Sequence, residues 1–296
     1  MTTTTANSRL STYLELSKSG IVALVLISVL GGYLVGQPPE STLSLGRLLA
    51  TLTGILLLAS GSSALNQLQE RVVDATMPRT ARRPLPSGRL SSIEAWAFIG
   101  ATLASGLAIL WGVAPALFLL GVLAVASYNG LYTLWWKRHW AHAAVPGAIP
   151  GALPILMGHA AASRHVTAPG GLYLFALLFF WQMPHFWVLA LRYREDYRSG
   201  GFPTLPVKLG SEITVLQITL WCLAYLATAL LAPLVLGVRS VYLAAALAMA
   251  LKVLWELRRF ALEPEGKRWL RFFLWVNLSL IVFIAAAVLD LWSWKL

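Results

Sequence analysis

The chain has 296 residues, of which 58% are hydrophobic and only 12% charged, with a mean hydropathy of +0.70 and a formal net charge of +11. Soluble domains carry roughly 25% charged residues, so this composition excludes an ordinary soluble protein and points to a polytopic membrane protein. The one cysteine, Cys222, lies in an apolar run and excludes both an intrachain disulfide and a cysteine-cluster metal site.

The opening stretch, MTTTTANSRLSTYLELSKSG, has no compact basic region and no small-residue cleavage site. It is therefore expected to be retained. Residues 1–19 read as a cytoplasmic N-terminal tail, and 20–296 as a single membrane domain. Apolar segments then recur at about 20–36, 46–66, 91–110, 114–134, 142–160, 171–191, 214–236, 240–257 and 272–290. Each is near the length that spans a hydrocarbon core, which predicts an all-α bundle of about nine transmembrane helices.

Charge placement gives the orientation. With the N-terminus inside, all but four of the 23 lysines and arginines fall on one side; Arg47, Arg164, Arg239 and Lys295 fall on the other. Positive loops stay cytoplasmic, so the chain is expected in the cytoplasmic (inner) membrane with a cytoplasmic N-terminus. The basic charge is thereby topology and does not point to nucleic acid. Trp135, Trp136 and Trp140, and Trp292 and Trp294, sit at predicted interfaces as aromatic belts.

Unusual polar residues gather on the basic side. In NQLQERVVDATMPRTARRPLPSGRL, Asn66, Glu70 and Asp74 are spaced by four and share one helical face. Two carboxylates on one face repel, and Mg2+ relieves this when substrate phosphate oxygens complete its shell. Arg79, Arg82 and Arg83 follow, suited to bidentate phosphate contacts. The alternative is a solvated loop whose acids pair with these arginines. A second segment, RYREDYRSGGFPTLP, again sets Glu195 and Asp196 among arginines after a long apolar run. The match hints at an internal repeat with both loops at one cavity mouth. In YNGLYTLWWKRHWAH, Tyr128 and Tyr132 lie a turn apart before Lys137 and Arg138; an interfacial anchor accounts for this equally well. In WQMPHFW, His185 lies in or near a span among aromatics, where it either contacts a flat cofactor or bonds a neighbour.

Asn66-x3-Glu70-x3-Asp74-x2-Met77-x-Arg79-Thr80-x2-Arg83-Pro84 resembles the first motif of the UbiA superfamily of intramembrane prenyltransferases. Its Met-x-Arg-Thr-x2-Arg-Pro tail and the segment Pro184-His185-Phe186-Trp187 resemble the haem o synthase (protohaem IX farnesyltransferase) branch. Tyr132 to Arg138, Gly151 to Pro154, and Asp196-Tyr197-x3-Gly201-x-Pro203-x-Leu205-Pro206 resemble later signatures. Three departures stand out: Glu70 where most members have Asp, Gly200 where a further carboxylate is usual, and HWAHAAVPGAIPGALP in place of an Asn-Ile-Val-Ile-Gly-Gly type.

The resemblance implies a helical bundle around a central cavity that opens sideways to membrane lipid. It implies farnesyl diphosphate as donor and haem b as acceptor, the latter a substrate and not a prosthetic group. Asn66, Glu70, Asp74 and Asp196 would hold Mg2+, with Glu70, Asp74 and Asp196 as direct ligands. Arg79, Arg82, Arg83, Lys137, Arg138 and Arg192 would neutralise the diphosphate. Tyr132 and Trp181 would shield the allylic cation, and His185 would contact haem. Terminal oxidase assembly or a haem a synthase would be the downstream partner. Two rivals are a UbiA-type enzyme acting on an aromatic or quinone precursor, and a membrane transporter. The clustering of charge at one face disfavours the transporter, whose ionisable groups belong near mid-membrane.

Overall fold

The computed structural model describes residues 9–38, 41–264 and 266–293. Trp294, Lys295 and the first eight residues of the expected tail lie outside these. Helix α1 (Arg9–Leu16) is followed by α2 (Ser19–Gly36), α3 (Leu45–Asp74), α4 (Ser92–Val113) and α5 (Pro115–Val125). A π-helix, Ala126–Trp136, continues α5 into the short α6 (Lys137–His139). Then come α7 (Ala144–Ser163), α8 (Pro169–Arg192), α9 (Arg194–Ser199), α10 (Leu205–Leu230), α11 (Ala232–Leu236), α12 (Ser240–Leu262) and α13 (Trp269–Trp292). Among the described residues, nine helical spans are long and apolar enough to cross a membrane, with 115–139 counted as one. The expected all-α bundle is the observed architecture.

Lipid explains this economy: helices satisfy their backbone groups internally, which a bilayer core demands. The spans alternate in direction, so α3, α6, α8 and α12 all end on one side, the side rich in lysine and arginine. At 30 residues, α3 is about 45 Å long. It outruns the roughly 30 Å hydrocarbon core. Its last turns, Asn66 to Asp74, therefore stay helical beyond the apolar run at 46–66. Helix formers such as Gln67, Gln69, Glu70 and Arg71 permit that extension. A capping box starts α4, where Glu94 N donates to Ser91 Oγ (3.2 Å) and Ser91 N donates back to Glu94 Oε2 (3.0 Å).

Two departures from the expected segments bear on the site. The span expected at 214–236 begins at Leu205 and kinks at Gly210, whose φ of 80° suits glycine. Residues 205–209 thereby form a helical turn beside the basic end. The segment expected as a tail also carries structure. Leu16 is buried against Leu68, Leu85 and Ala95, and Gln67 Nε2 donates to the carbonyls of Glu15 (3.0 Å) and Leu16 (2.9 Å). Lys18 then adopts a left-handed φ of 53°, turning the chain sharply from α1 into α2. At the other end of the bundle, Asp290 of α13 caps α12, accepting from the backbone N–H of Arg239 and, at 3.4 Å, of Tyr242.

Candidate active site

The site is built on the last two turns of α3. Asn66, Glu70 and Asp74 lie on one face and are buried, at 2%, 3% and 1% exposure. Each is met by a cation. Lys18 Nζ donates to Asn66 Oδ1 at 2.8 Å. Lys137 Nζ meets Glu70 Oε1 at 2.6 Å. Arg83 Nη1 meets Asp74 Oδ2 at 2.7 Å. Thr80 Oγ1 donates to the Asp74 carbonyl (2.8 Å), folding the loop after α3 so that Arg83 bends back onto the helix end.

The π-helix sets the opposite wall. Ser62 Oγ donates to Asn129 Oδ1 (2.6 Å), Asn66 Nδ2 to Thr133 Oγ1 (3.1 Å), and Lys137 to Glu70. These contacts step by four on both elements, so three rungs hold α3 in parallel register with the π-helix and the start of α6. The wider π turn is a frequent device at functional sites. It presents Tyr128 and Tyr132 as a stacked pair, with ring centroids 5.9 Å apart and planes at 14°. Gly147 of α7 makes room, because a Cβ there would strike the Tyr132 ring.

These groups enclose a cavity of about 500 Å3. Its charged end carries Lys18, Asn66, Glu70, Asp74, Arg79, Arg83 and Lys137. Ala144, Gly147, Ala148, Met183 and Phe186 line an apolar part. Lys137 also lies over the Phe202 ring at 4.5 Å. Burial pushes the Lys18 ammonium down to about 7; Arg83 and Lys137 add repulsion, and Glu70 and Asp74 oppose it.

The structure separates the other expected residues. Arg79 lines this cavity and a neighbouring one, and pairs with Asp196 at 3.7 Å. Asp196 therefore faces the neighbouring cavity and does not join Glu70 and Asp74. Arg192 also lines that second cavity, with its guanidinium 5.7 Å from the Trp269 ring centroid. Arg82 and Arg138 are exposed and lie outside the cavity lining. Trp181 points away too, donating from Nε1 to the Val276 carbonyl at 3.1 Å. Tyr132 lines the cavity. His185 lies on the α13 side of α8, with Nδ1 2.8 Å from Asn277 Oδ1. Lys18 escaped the sequence reading because a lone lysine before a span looks like a topology signal.

Among the described residues, no three or more His, Cys, Asp or Glu side chains converge closely enough to hold a metal alone. The donor set nonetheless fits Mg2+. Asp74 Oδ1 is buried without a hydrogen-bond partner, Glu70 lies one turn away, and both offer hard oxygens. Mg2+ keeps waters and takes one or two carboxylates plus phosphate oxygens, which matches two acids ringed by phosphate-suited cations.

Among the described residues, nine spans enclose a cavity that joins a cation-rich mouth to an apolar interior, an integral-membrane site suited to an anionic head group on an apolar tail. The UbiA prenyltransferase family model matches residues 25–281. The chain belongs to that family. It is 45% identical over 281 residues to a protoheme IX farnesyltransferase of Bdellovibrio bacteriovorus, covering 95% of this chain and 96% of the relative. Among solved structures, it is similar to digeranylgeranylglyceryl phosphate synthase, with a TM-score of 0.79, 18% identity, and 96% and 99% of the two chains covered. It is also similar to a UbiA homologue of Archaeoglobus fulgidus bound to GPP and Mg2+, with a TM-score of 0.63, 20% identity, and 91% and 99% covered. The two structures support the fold.

Proposed function

We propose that this chain transfers a farnesyl group from farnesyl diphosphate to the 2-vinyl group of haem b, giving the hydroxyethylfarnesyl product. The observation that carries this reading is the full-length 45% identity to a protoheme IX farnesyltransferase. The cavity's chemistry agrees with it. A farnesyl chain prefers lipid and a diphosphate prefers a wet, cationic boundary, and this cavity offers both. The excess of lysine and arginine at that end supports a cytoplasmic mouth and a cytoplasmic N-terminus in the inner membrane.

Glu70 and Asp74 would hold Mg2+, with Asn66 fixing their register against the π-helix. The ion, when bound, supplies Lewis-acid neutralisation of the leaving diphosphate. Lys18, Arg79, Arg83 and Lys137 surround the position where negative charge grows as the farnesyl C1–O bond breaks. The diphosphate leaves with the bonding electron pair. Tyr128 and Tyr132 offer their ring faces to the allylic cation. The terminal vinyl carbon of haem b attacks C1, the new cation adjoining the macrocycle takes up water, and a proton is lost. The product would pass to a haem a synthase or to terminal oxidase assembly.

The test is direct. Purified protein is incubated with haem b, farnesyl diphosphate and Mg2+, and extracted haem is analysed by mass. The expected result is a mass gain of one farnesyl group plus one hydroxyl, the added water having lost a proton. No such product, under conditions where a control haem farnesyltransferase turns over, sinks the assignment. Prenylation of an aromatic or quinone precursor instead of haem would place the chain elsewhere in the family.

A further inference from the structure

Beside the cavity that would hold the donor lies the second one, of about 750 Å3, at the corner between α8 and α9. Two stretches of chain divide them. Met77 faces the donor cavity and Pro78 the second; Tyr197 faces the donor cavity and Asp196 the second. Gly200 keeps the stretches close, because a Cβ there would lie only 2.8 Å from Met77 Sδ. The Arg79–Asp196 pair spans the divide, and Arg79 lines both sides. That pair is long, at 3.7 Å, with side chains 40% and 27% exposed. So wet and so long an ion pair holds weakly, which makes it a partition that opens readily.

Arginines converge on the second cavity from three points: Arg79 from the loop after α3, Arg192 from the end of α8 and Arg194 from the start of α9. Arg194 is held in place, its Nε 3.4 Å from Glu195 Oε1 and its Nη1 donating to Ser211 Oγ at 3.3 Å. Among the described residues, no ion pair includes Arg192. Its guanidinium lies instead over Trp269, 5.7 Å from the ring centroid. An aromatic face orients a guanidinium without neutralising it or taking up its N–H donors. Arg192 thus keeps its charge and its planar fork of donors for an anion, and that fork matches phosphate oxygens two at a time. The donor cavity is different, since its Lys137 and Arg83 already meet buried acids.

We infer that the second cavity is a phosphate-anion site that takes the diphosphate leaving the donor cavity: Arg79 swings away from Asp196 with the anion, and Arg192 and Arg194 receive it. This rests on the reading of a prenyl diphosphate as donor. A lipid head group offers the same phosphate chemistry. The leaving diphosphate is favoured because the cavity adjoins the place where that anion is released and shares a cation with it. The route is also the cheaper one. A path lined by guanidinium groups replaces the water that the anion gives up, whereas the apolar part of the donor cavity, at Ala144, Ala148 and Met183, does not.

The experiment is equilibrium dialysis of radiolabelled inorganic diphosphate against the purified full chain in phosphatidylcholine nanodiscs. The protein is first saturated with Mg2+ and farnesyl thiodiphosphate, an unreactive analogue that fills the donor cavity. Wild-type protein should bind one further diphosphate per chain. Arg192→Gln and Arg194→Gln should each raise the Kd of that diphosphate by about tenfold and leave the Kd of the analogue as it was, which also shows that the variants are folded. Arg79→Gln should weaken both ligands. No further diphosphate on wild-type protein, or a wild-type Kd in both Arg192→Gln and Arg194→Gln, overturns the site. Nanodiscs that also contain phosphatidylglycerol should leave the further diphosphate bound; its loss there gives the cavity to a lipid head group and overturns the exit route. Wild-type protein that binds no analogue overturns the donor reading itself.

Discussion

Asp74→Asn separates the chemistry of the mouth from its folding. Asp74 is 1% exposed, and one carboxylate oxygen meets Arg83 while the other has no partner. Asparagine keeps the volume and one acceptor for Arg83. The fold then loses the charge-assisted part of one hydrogen bond, about 1–2 kcal/mol, since Arg83 is 22% exposed and water takes up the remainder. Catalysis loses more. On the proposed reading the unpartnered oxygen would ligate the ion, and removing comparable charge stabilisation at a transition state costs about 10²- to 10³-fold in turnover, or about 3–4 kcal/mol. Turnover should therefore collapse while the variant remains monodisperse in detergent with a thermal midpoint close to wild type. The assay pairs mass-detected haem farnesylation across a Mg2+ series with a thermal melt of the same preparation. Turnover within threefold of wild type at every Mg2+ concentration would refute the metal role. A loss of turnover that merely tracks a loss of folded protein would refute the separation.

Arg83→Gln should damage folding more than Asp74→Asn does, by about 3–5 kcal/mol, because it strands a carboxylate that is almost wholly buried; equal thermal midpoints for the two variants would contradict this. Lys18 has its pKa lowered from 10.5 to about 7. The folded state thus sheds this proton first, and stability contributed by the group should rise with pH between about 7 and 10.5. In protein stripped of divalent cations, cyanate should carbamylate Lys18 half-maximally near pH 7, and farnesyl diphosphate should protect it; labelling that rises only near pH 10 counts against a desolvated Lys18. Gly158→Ala should loosen the α2–α7 contact, since a Cβ there runs into the Val29 carbonyl, which cannot swing aside as a side chain would. Such overpacking costs about 1–3 kcal/mol or more, and an unchanged thermal midpoint would show that the two helices pack less closely.

The number of spans, the side bearing the cations and the stripe of Asn66, Glu70 and Asp74 were all legible in the amino-acid order. Each depends on something local: apolar run length against membrane thickness, lysine and arginine counts per loop, and a spacing of four on one helix. Tyr132 came from the resemblance to a family motif, since its spacing alone also fitted an interfacial anchor. Which cation meets which acid was not legible. Glu70 and Lys137 are 67 residues apart, and Lys18 reaches Asn66 across 48. Those pairings follow from the register between α3, the π-helix and the turn at Lys18. Five arginines and a lysine looked interchangeable as diphosphate partners, but only the packed bundle divides them. The loop fold at Thr80 brings Arg83 inward, Arg79 is shared between two cavities, Arg192 turns to Trp269, and Arg82 and Arg138 stay outside. Asp196 is a similar case, since its position relative to Glu70 and Asp74 depends on how two loops about 120 residues apart come together. Sequence spacing sets the face of a helix that a side chain occupies; the packing of helices decides what that face meets.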